Sequence, residues 1–241
     1  INLFNGNLSL NVPLIKVGGR GEVAQGLSVN IENQWDVTGY HTIGDSILFE
    51  INPSYRSPLA LVGHITSESE SPTTLFHMEA CAGGPTHWVQ HQFNFKYVEP
   101  DGTEHMLVDP MYHGKPYIAC TPFYNYGRVF ESTSGEFMTF VTDADISSSS
   151  MIYSGYLYQP GGVTSRIVNG QIIWSEDRNG NKIQYIYNTG QYDSRLNTII
   201  DANGRSVTIE YGVTDAAPYG VCDRITFKGG SGQNRIFRIK S

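Results

Sequence analysis

"DRNGNKIQYIY" (Asp177 to Tyr187) and "DANGRSVTIEY" (Asp201 to Tyr211) lie 24 residues apart and align without a gap. Each opens on Asp-x-Asn-Gly and then alternates large and polar side chains up to a tyrosine. Three, five and seven residues past Gly180 stand Ile183, Tyr185 and Tyr187; past Gly204 stand Val207, Ile209 and Tyr211. A degenerate third copy follows Gly232, with Arg235, Phe237 and Ile239 in those places. The runs "QIIWSED", "RLNTIID" and "RITFKGG" precede the three glycines, so each unit reads as strand, tight turn, strand. Asn179-Gly180 and Asn203-Gly204 predict two-residue hairpin turns, because both turn positions need positive φ and these residues tolerate it best. Strand periodicity predicts one shared sheet face, with Ile183 beside Val207 and Tyr185 beside Ile209. A lone hairpin is marginal in water, so copies written in series point to hairpins stacked edge to edge.

Composition agrees with strands. Of 241 residues, 39% are hydrophobic and 16% charged, with 26 glycines and 15 tyrosines, a mix suited to sheets joined by tight turns. A net charge of −7 argues against a nucleic-acid backbone or an anionic membrane as main partner. No apolar run approaches the ~18–20 residues of a membrane-crossing helix. Cys81, Cys120 and Cys222 allow at most one disulfide and leave at least one thiol over. The chain starts at Ile1 with neither Met nor a signal-like segment, which suggests a trimmed or excised piece of something longer. One glycosylation sequon stands at Asn7.

Upstream, period two continues. Leu8, Leu10, Val12 and Leu14 share one face of a first strand, and Leu27, Val29 and Ile31 share one face of a second, with Gly18 to Glu22 as the turn between. "HQFNFKYVEPDGTEHMLV" reads as a hairpin with Phe93, Phe95 and Tyr97 alternating, Pro100-Asp101-Gly102 turning, and His105 to Val108 returning. "GRVFESTSGEFMTFVTD" reads as another, around Ser134-Gly135. One short helix is predicted from Pro72 to about Cys81, with Ser71 as cap and Gly83-Gly84 as stop.

The stretch from Asp177 to Tyr211 resembles the tyrosine–aspartate (YD) repeats of rearrangement-hot-spot (RHS) proteins. "INLFNGNLSLNVPLIKVGGRG", "EPDGTEHML", "GRVFESTSGEFMTFVTDAD" and "SGYLYQPGGVTSRI" are similar to segments that precede the first full repeats there. The likeness is strongest over 171–211 and weakest over 40–90. Tyr187 is followed by Asn188 instead of the usual Asp, and the third copy has lost its tyrosines. The resemblance implies an all-β fold of antiparallel hairpins stacked into an extended, spiralling sheet, part of a hollow shell. A lead-in region would span 1–170 and repeats 171–241, divided as 171–190, 195–212 and 224–241. In that family the shell encloses or presents a carboxy-terminal, often toxin-like effector, and related animal proteins act in adhesion. The effector is usually released by self-cleavage at an aspartate-containing motif, which has no counterpart in this sequence; Asp109-Pro110 stands mid-chain without the rest of it.

Three other chemistries compete. "HMEACAGGPTHWVQH" holds His77, Glu79, Cys81, His87 and His91, and the His-x3-His spacing puts two imidazoles on one face, as zinc ligands would need. The metalloprotease pattern wants Glu directly after the first His, where Trp88 stands, so histidines hydrogen-bonding in a loop are the better reading. A Cys81–His87 nucleophile pair lacks an orienting third group. "DADISSSS" (Asp143 to Ser150) opens like a calcium loop but lacks its glycine and closing Glu, which favours a solvated turn. Tyr124 and Tyr126 offer a stacking surface for sugars, although strands also use aromatics to pair across a sheet.

The sequence therefore predicts a non-enzymatic structural segment of an extracellular or envelope-associated shell or fibre, without cofactor. A surface adhesin or carbohydrate-binding module is the second expectation. A metal-assisted hydrolase using His77, His87 and His91 is the third. The strand from Asn234 to Lys240 should lie outermost, lightly guarded by Arg235, Arg238 and Lys240, and the strand from Asn7 to Leu14 is shielded by Pro13 alone. Such edges call for partners: the rest of a longer polypeptide, or further copies of the chain.

Overall fold

The computed structural model describes residues 9–17, 23, 25–32, 34–43, 46–54, 59–60, 62–68, 77–79, 87–89, 94–100, 103–110, 125–133, 135–147, 153–189, 195–217 and 220–239. Among them the fold is all-β with antiparallel pairing throughout; no helix is long and apolar enough to cross a membrane. The chain forms two compact units, residues 1–17 with 25–61 (and Ser241), and residues 18–24 with 62–240.

In the first unit β1 (Ser9–Val17) pairs with β2 (Gln25–Glu32), and β2 with β5 (Leu59–Ala60), while β3 (Gln34–Ile43) pairs with β4 (Ser46–Ser54). Val12 meets Val29 and Leu10 meets Ile31, as period two predicts. The register then shifts between Pro13 and Ile15, so Ile15 rather than Leu14 stands opposite Leu27. A proline without an N–H interrupts the ladder there, which fits a bulge.

The second unit departs from the expected open spiral. Here β6 (His64–Glu68), β9 (Asn94–Val98), β10 (Glu104–Val108), β11 (Asn125–Ser132), β12 (Thr139–Ser147), β13 (Gly155–Gln159), β14 (Val163–Val168) and β15 (Gln171–Glu176) pair in that order, and β15 returns to β6. The result is a closed eight-strand barrel, not a spiralling open sheet. Closure removes two edges that an open sheet would leave unpaired. Phe95 meets Phe130 and Phe140 edge-on at 4.6 and 5.4 Å in the interior. Leu107, Leu157 and Ile167 join them at 0% exposure.

Closure depends on a turn. Val168 faces Gln171 directly, so Asn169 (φ 51) and Gly170 (φ 80) form a true two-residue turn. The Ile65 N–H donates to the Gly170 carbonyl at 2.8 Å, and a Cβ at Gly170 would sit 2.6 Å from the Ile65 carbonyl oxygen. Glycine is required twice over at this position, by φ and by the approach of β6. The boundary at 170/171 expected from the sequence falls inside this turn.

The same edge of β15 serves two strands. Gln171 pairs with His64 of β6, while Trp174 to Glu176 pair with β16 (Lys182–Tyr187). From β16 the sheet continues through β17 (Leu196–Ile200), β18 (Ser206–Asp215) and β19 (Gly220–Lys228) to β20 (Asn234–Ile239), its outermost strand. The predicted hairpins thus stack in sequence order, growing from the barrel. Separately, β7 (His77–Glu79) pairs with β8 (His87–Val89). The predicted helix is corrected where it is described: His77–Glu79 is a strand, and the β-branched "TT" run before it is poor helix material.

Candidate functional site

The repeated stretch builds a repeated latch. In each full copy the N–H of the aspartate donates to the carbonyl four residues on (Asp177 to Asn181, 3.0 Å; Asp201 to Arg205, 2.9 Å), and the glycine N–H donates back to the aspartate carbonyl. Gly180 has φ 80 and Gly204 φ 75, as predicted. Asn179 and Asn203 are absent from the positive-φ residues, so the expected two-residue turns are corrected to three-residue loops closed by a left-handed glycine. The aspartate decides this. Asp177 Oδ1 accepts from the N–H groups of Asn179 (2.8 Å) and Asn181 (3.0 Å), and Asp201 Oδ1 accepts from those of Asn203 and Arg205, both at 2.9 Å. Those bonds need the wider loop, whereas Asn169-Gly170 follows a valine and makes the tighter one.

Both aspartates are buried, at 4 and 5% exposure. Burial pushes the Asp201 carboxyl up, but the Arg205 side chain and the backbone amides of Arg205 and Asn203 outweigh it and hold the group below its ordinary value. The third copy has Gly229 in the aspartate position and keeps only the backbone part: Gly229 N–H to Gln233 and Gly232 N–H to Gly229, both 2.9 Å, with Gly232 at φ 76.

The closing tyrosine is the latch's second half. Tyr187 Oη donates to the Ile172 carbonyl and Tyr211 Oη to the Leu196 carbonyl, each at 2.8 Å and each 15 residues back. Burial raises the Tyr187 and Tyr185 phenols far above their ordinary range. Ile183, Tyr185, Val207 and Ile209 share the buried face, as alternation predicts. Their lateral neighbours are offset, however: Tyr185 faces Ile199, which faces Val207. Tyr185 thus stands level with Val207, two residues short of Ile209, and a register shift between Ile186 and Tyr187 skips one residue, Asn197.

The other predicted site residues are described only in part. His77 pairs with Val89 and Glu79 with His87 in the β7–β8 hairpin, while Cys81 and His91 lie outside the described residues. No group of three or more metal-binding side chains occurs among the described residues. Asp143 belongs to β12 and receives both guanidinium nitrogens of Arg166, at 2.7 and 2.6 Å, an arrangement unlike a calcium loop. Tyr126 is 3% exposed, which turns its ring away from any outside sugar, and Tyr124 lies outside the described residues. Cys222 is a buried thiol.

Two constellations escaped the sequence. On the barrel's outer face Tyr156 and Trp174 lie 6.1 Å apart, with Arg166 over Tyr156 at 4.8 Å and Lys182 over Trp174 at 4.2 Å. These cations cover the ring faces that a sugar would use. At one barrel end the buried imidazole of His105 (5% exposed) bonds Glu136 through Nδ1 and Glu99 through Nε2 at 3.1 Å. Glu136 stands 31 residues from His105, beyond any local pattern. No family model matches this chain, and no curated protein does.

Proposed function

We propose that this chain is a non-enzymatic structural segment of an RHS/YD-type protein, a piece of β-wall that encloses or presents a separate effector at the cell surface or outside the cell. The observation that carries this reading is the latch written twice at a 24-residue interval: aspartate, glycine and tyrosine recur with the same hydrogen bonds within each hairpin. A side-chain set spent on holding a repeat together suits a scaffold. The barrel would anchor the array, and further hairpins or another copy would continue it from β20. At that edge Ile236 is 40% exposed, and Arg235 is exposed beside Phe227.

Hydrogen exchange on the native assembly tests this. Amides of β20 should be protected to the same degree as those of β18, and Ile236→Pro, which cannot donate to a neighbouring strand, should block assembly without unfolding the barrel. Freely exchanging β20 amides in the native particle would refute the reading.

A further inference from the structure

We propose that β20 takes up, as an added strand, an extended acidic segment of a separate polypeptide, and that Arg235 selects it. The proposal rests on the reading of β20 as the edge from which the sheet grows, and narrows it to growth by an acidic strand. Along an antiparallel ladder the amides turn alternately toward one neighbour and the other. The bond from Gly229 N–H to the Gln233 carbonyl sets the phase, so Arg235, Phe237 and Ile239 bond to β19. The N–H groups of Asn234, Ile236 and Arg238 then face the open side, and no strand pairs there among the described residues.

The third hairpin departs from the first two at one telling position. Three residues past the glycine, the earlier copies bury Ile183 and Val207, at 0 and 5% exposure; here stands Arg235, exposed. Its side chain lies against Gly229, which holds the place of the buried aspartate. A Cβ on Gly229 would sit 2.6 Å from Arg235 Nε and 3.1 Å from its Cδ. Another hairpin of the same kind would set an apolar side chain beside Arg235 and bury a cation without its counter-charge. β20 itself contains no acid, so two copies meeting edge to edge along it gain none.

The charge balance agrees. From Gly220 to Ile239 there are four cations (Arg224, Lys228, Arg235 and Arg238) and one acid (Asp223), a net +3 within a chain of net −7. Glu210 accepts from two guanidinium nitrogens of Arg224, and Asp215 accepts from Arg238. Lys228 and Arg235 stay exposed at the sheet's end. On the Arg235 face, half-buried Phe237 stacks on Phe227 at 5.5 Å. The added strand thus needs an acid opposite Arg235 and, two residues along the same face, an apolar side chain opposite Phe237.

Two acetylated and amidated heptapeptides provide the test: Thr-Thr-Val-Val-Glu-Glu-Thr, and its counterpart with Lys for both Glu. Laid antiparallel on β20, the first can place Glu opposite Arg235 and Val opposite Phe237. Added to the whole chain at low ionic strength, it should protect the outward amides of Ile236 and Arg238 from hydrogen exchange. It should also bind about five- to tenfold tighter than the Lys peptide. Arg235→Glu should reverse that preference, with the inward amides of residues 235 and 237 showing that the hairpin still folds. Equal binding of the two peptides, or a preference that Arg235→Glu leaves unchanged, would overturn selection by Arg235 while β20 stays an open edge. Self-association of the chain that Arg235→Glu abolishes would put a second copy there and overturn the separate partner. Protection by neither peptide would overturn the docking strand, whereas growth from β20 in the native assembly is decided separately, by its exchange there.

Discussion

Asn-Gly occurs in three described hairpins and makes two different turns, and the presence of an aspartate two residues before it separates them. Where a valine precedes, Asn169 takes φ 51; where Asp-x precedes, the asparagine stays out of that region and the glycine alone is left-handed. Asn169→Ala should therefore cost about 1 kcal/mol, and Asn203→Ala close to nothing, in thermal or urea unfolding. Nothing lies within 4 Å of a Cβ built on Gly204, so a Cβ there meets no clash, and Gly204→Val is opposed by φ 75. We expect about 1–2 kcal/mol; unchanged melting would refute the turn assignment. Asp201 adds a pH dependence. Its folded pKa is depressed, so its stabilisation is complete above the unfolded value, about pH 4, and is lost as pH falls through the folded value. Asp201→Asn should melt lower than wild type at neutral pH, and the gap should narrow from about pH 4 downward.

At the scale of elements, the tyrosine bonds join each hairpin's outgoing strand to the base of its incoming one. Tyr187→Phe and Tyr211→Phe remove one hydroxyl each and leave the Ile172 or Leu196 carbonyl short of a donor. Each should cost about 0.5–1.5 kcal/mol. Because the two bonds occupy equivalent places in separate hairpins, the double variant should show nearly additive losses. A marked excess over additivity would mean that the hairpins unfold as a single element.

At the scale of the whole molecule, the barrel of the second unit holds the largest fully buried side chains among the described residues, Phe95, Phe130 and Phe140. Phe95 contacts Phe130, Phe140 and Tyr153 at 4.6, 5.4 and 4.8 Å, so truncating it opens a void that strands on several sides line. Phe95→Ala should cost about 3–5 kcal/mol and lower the melting of barrel and hairpin array together, since β15 belongs to both. Loss of barrel protection with an intact array would show that the two fold independently.

Local pattern was enough to determine the strands of the predicted hairpins, the hairpin order from β15 to β20, the left-handed Gly180 and Gly204, and the shared face of Ile183, Tyr185, Val207 and Ile209. Each depends on neighbours a few residues apart, where period two and the φ demands of a turn act directly. The tertiary structure alone decided the rest. Closure of the barrel depends on Gly170 accepting a bond from Ile65, more than a hundred residues upstream. The two-residue slide between hairpins depends on the register of β17 against β16 and β18, and the burial of Tyr126 on which way β11 faces the core. The His105 cluster joins groups 6 and 31 residues from the imidazole, set by how β9, β10 and β11 align. Periodicity carries which face a residue occupies; it carries no record of which distant strand will lie against that face.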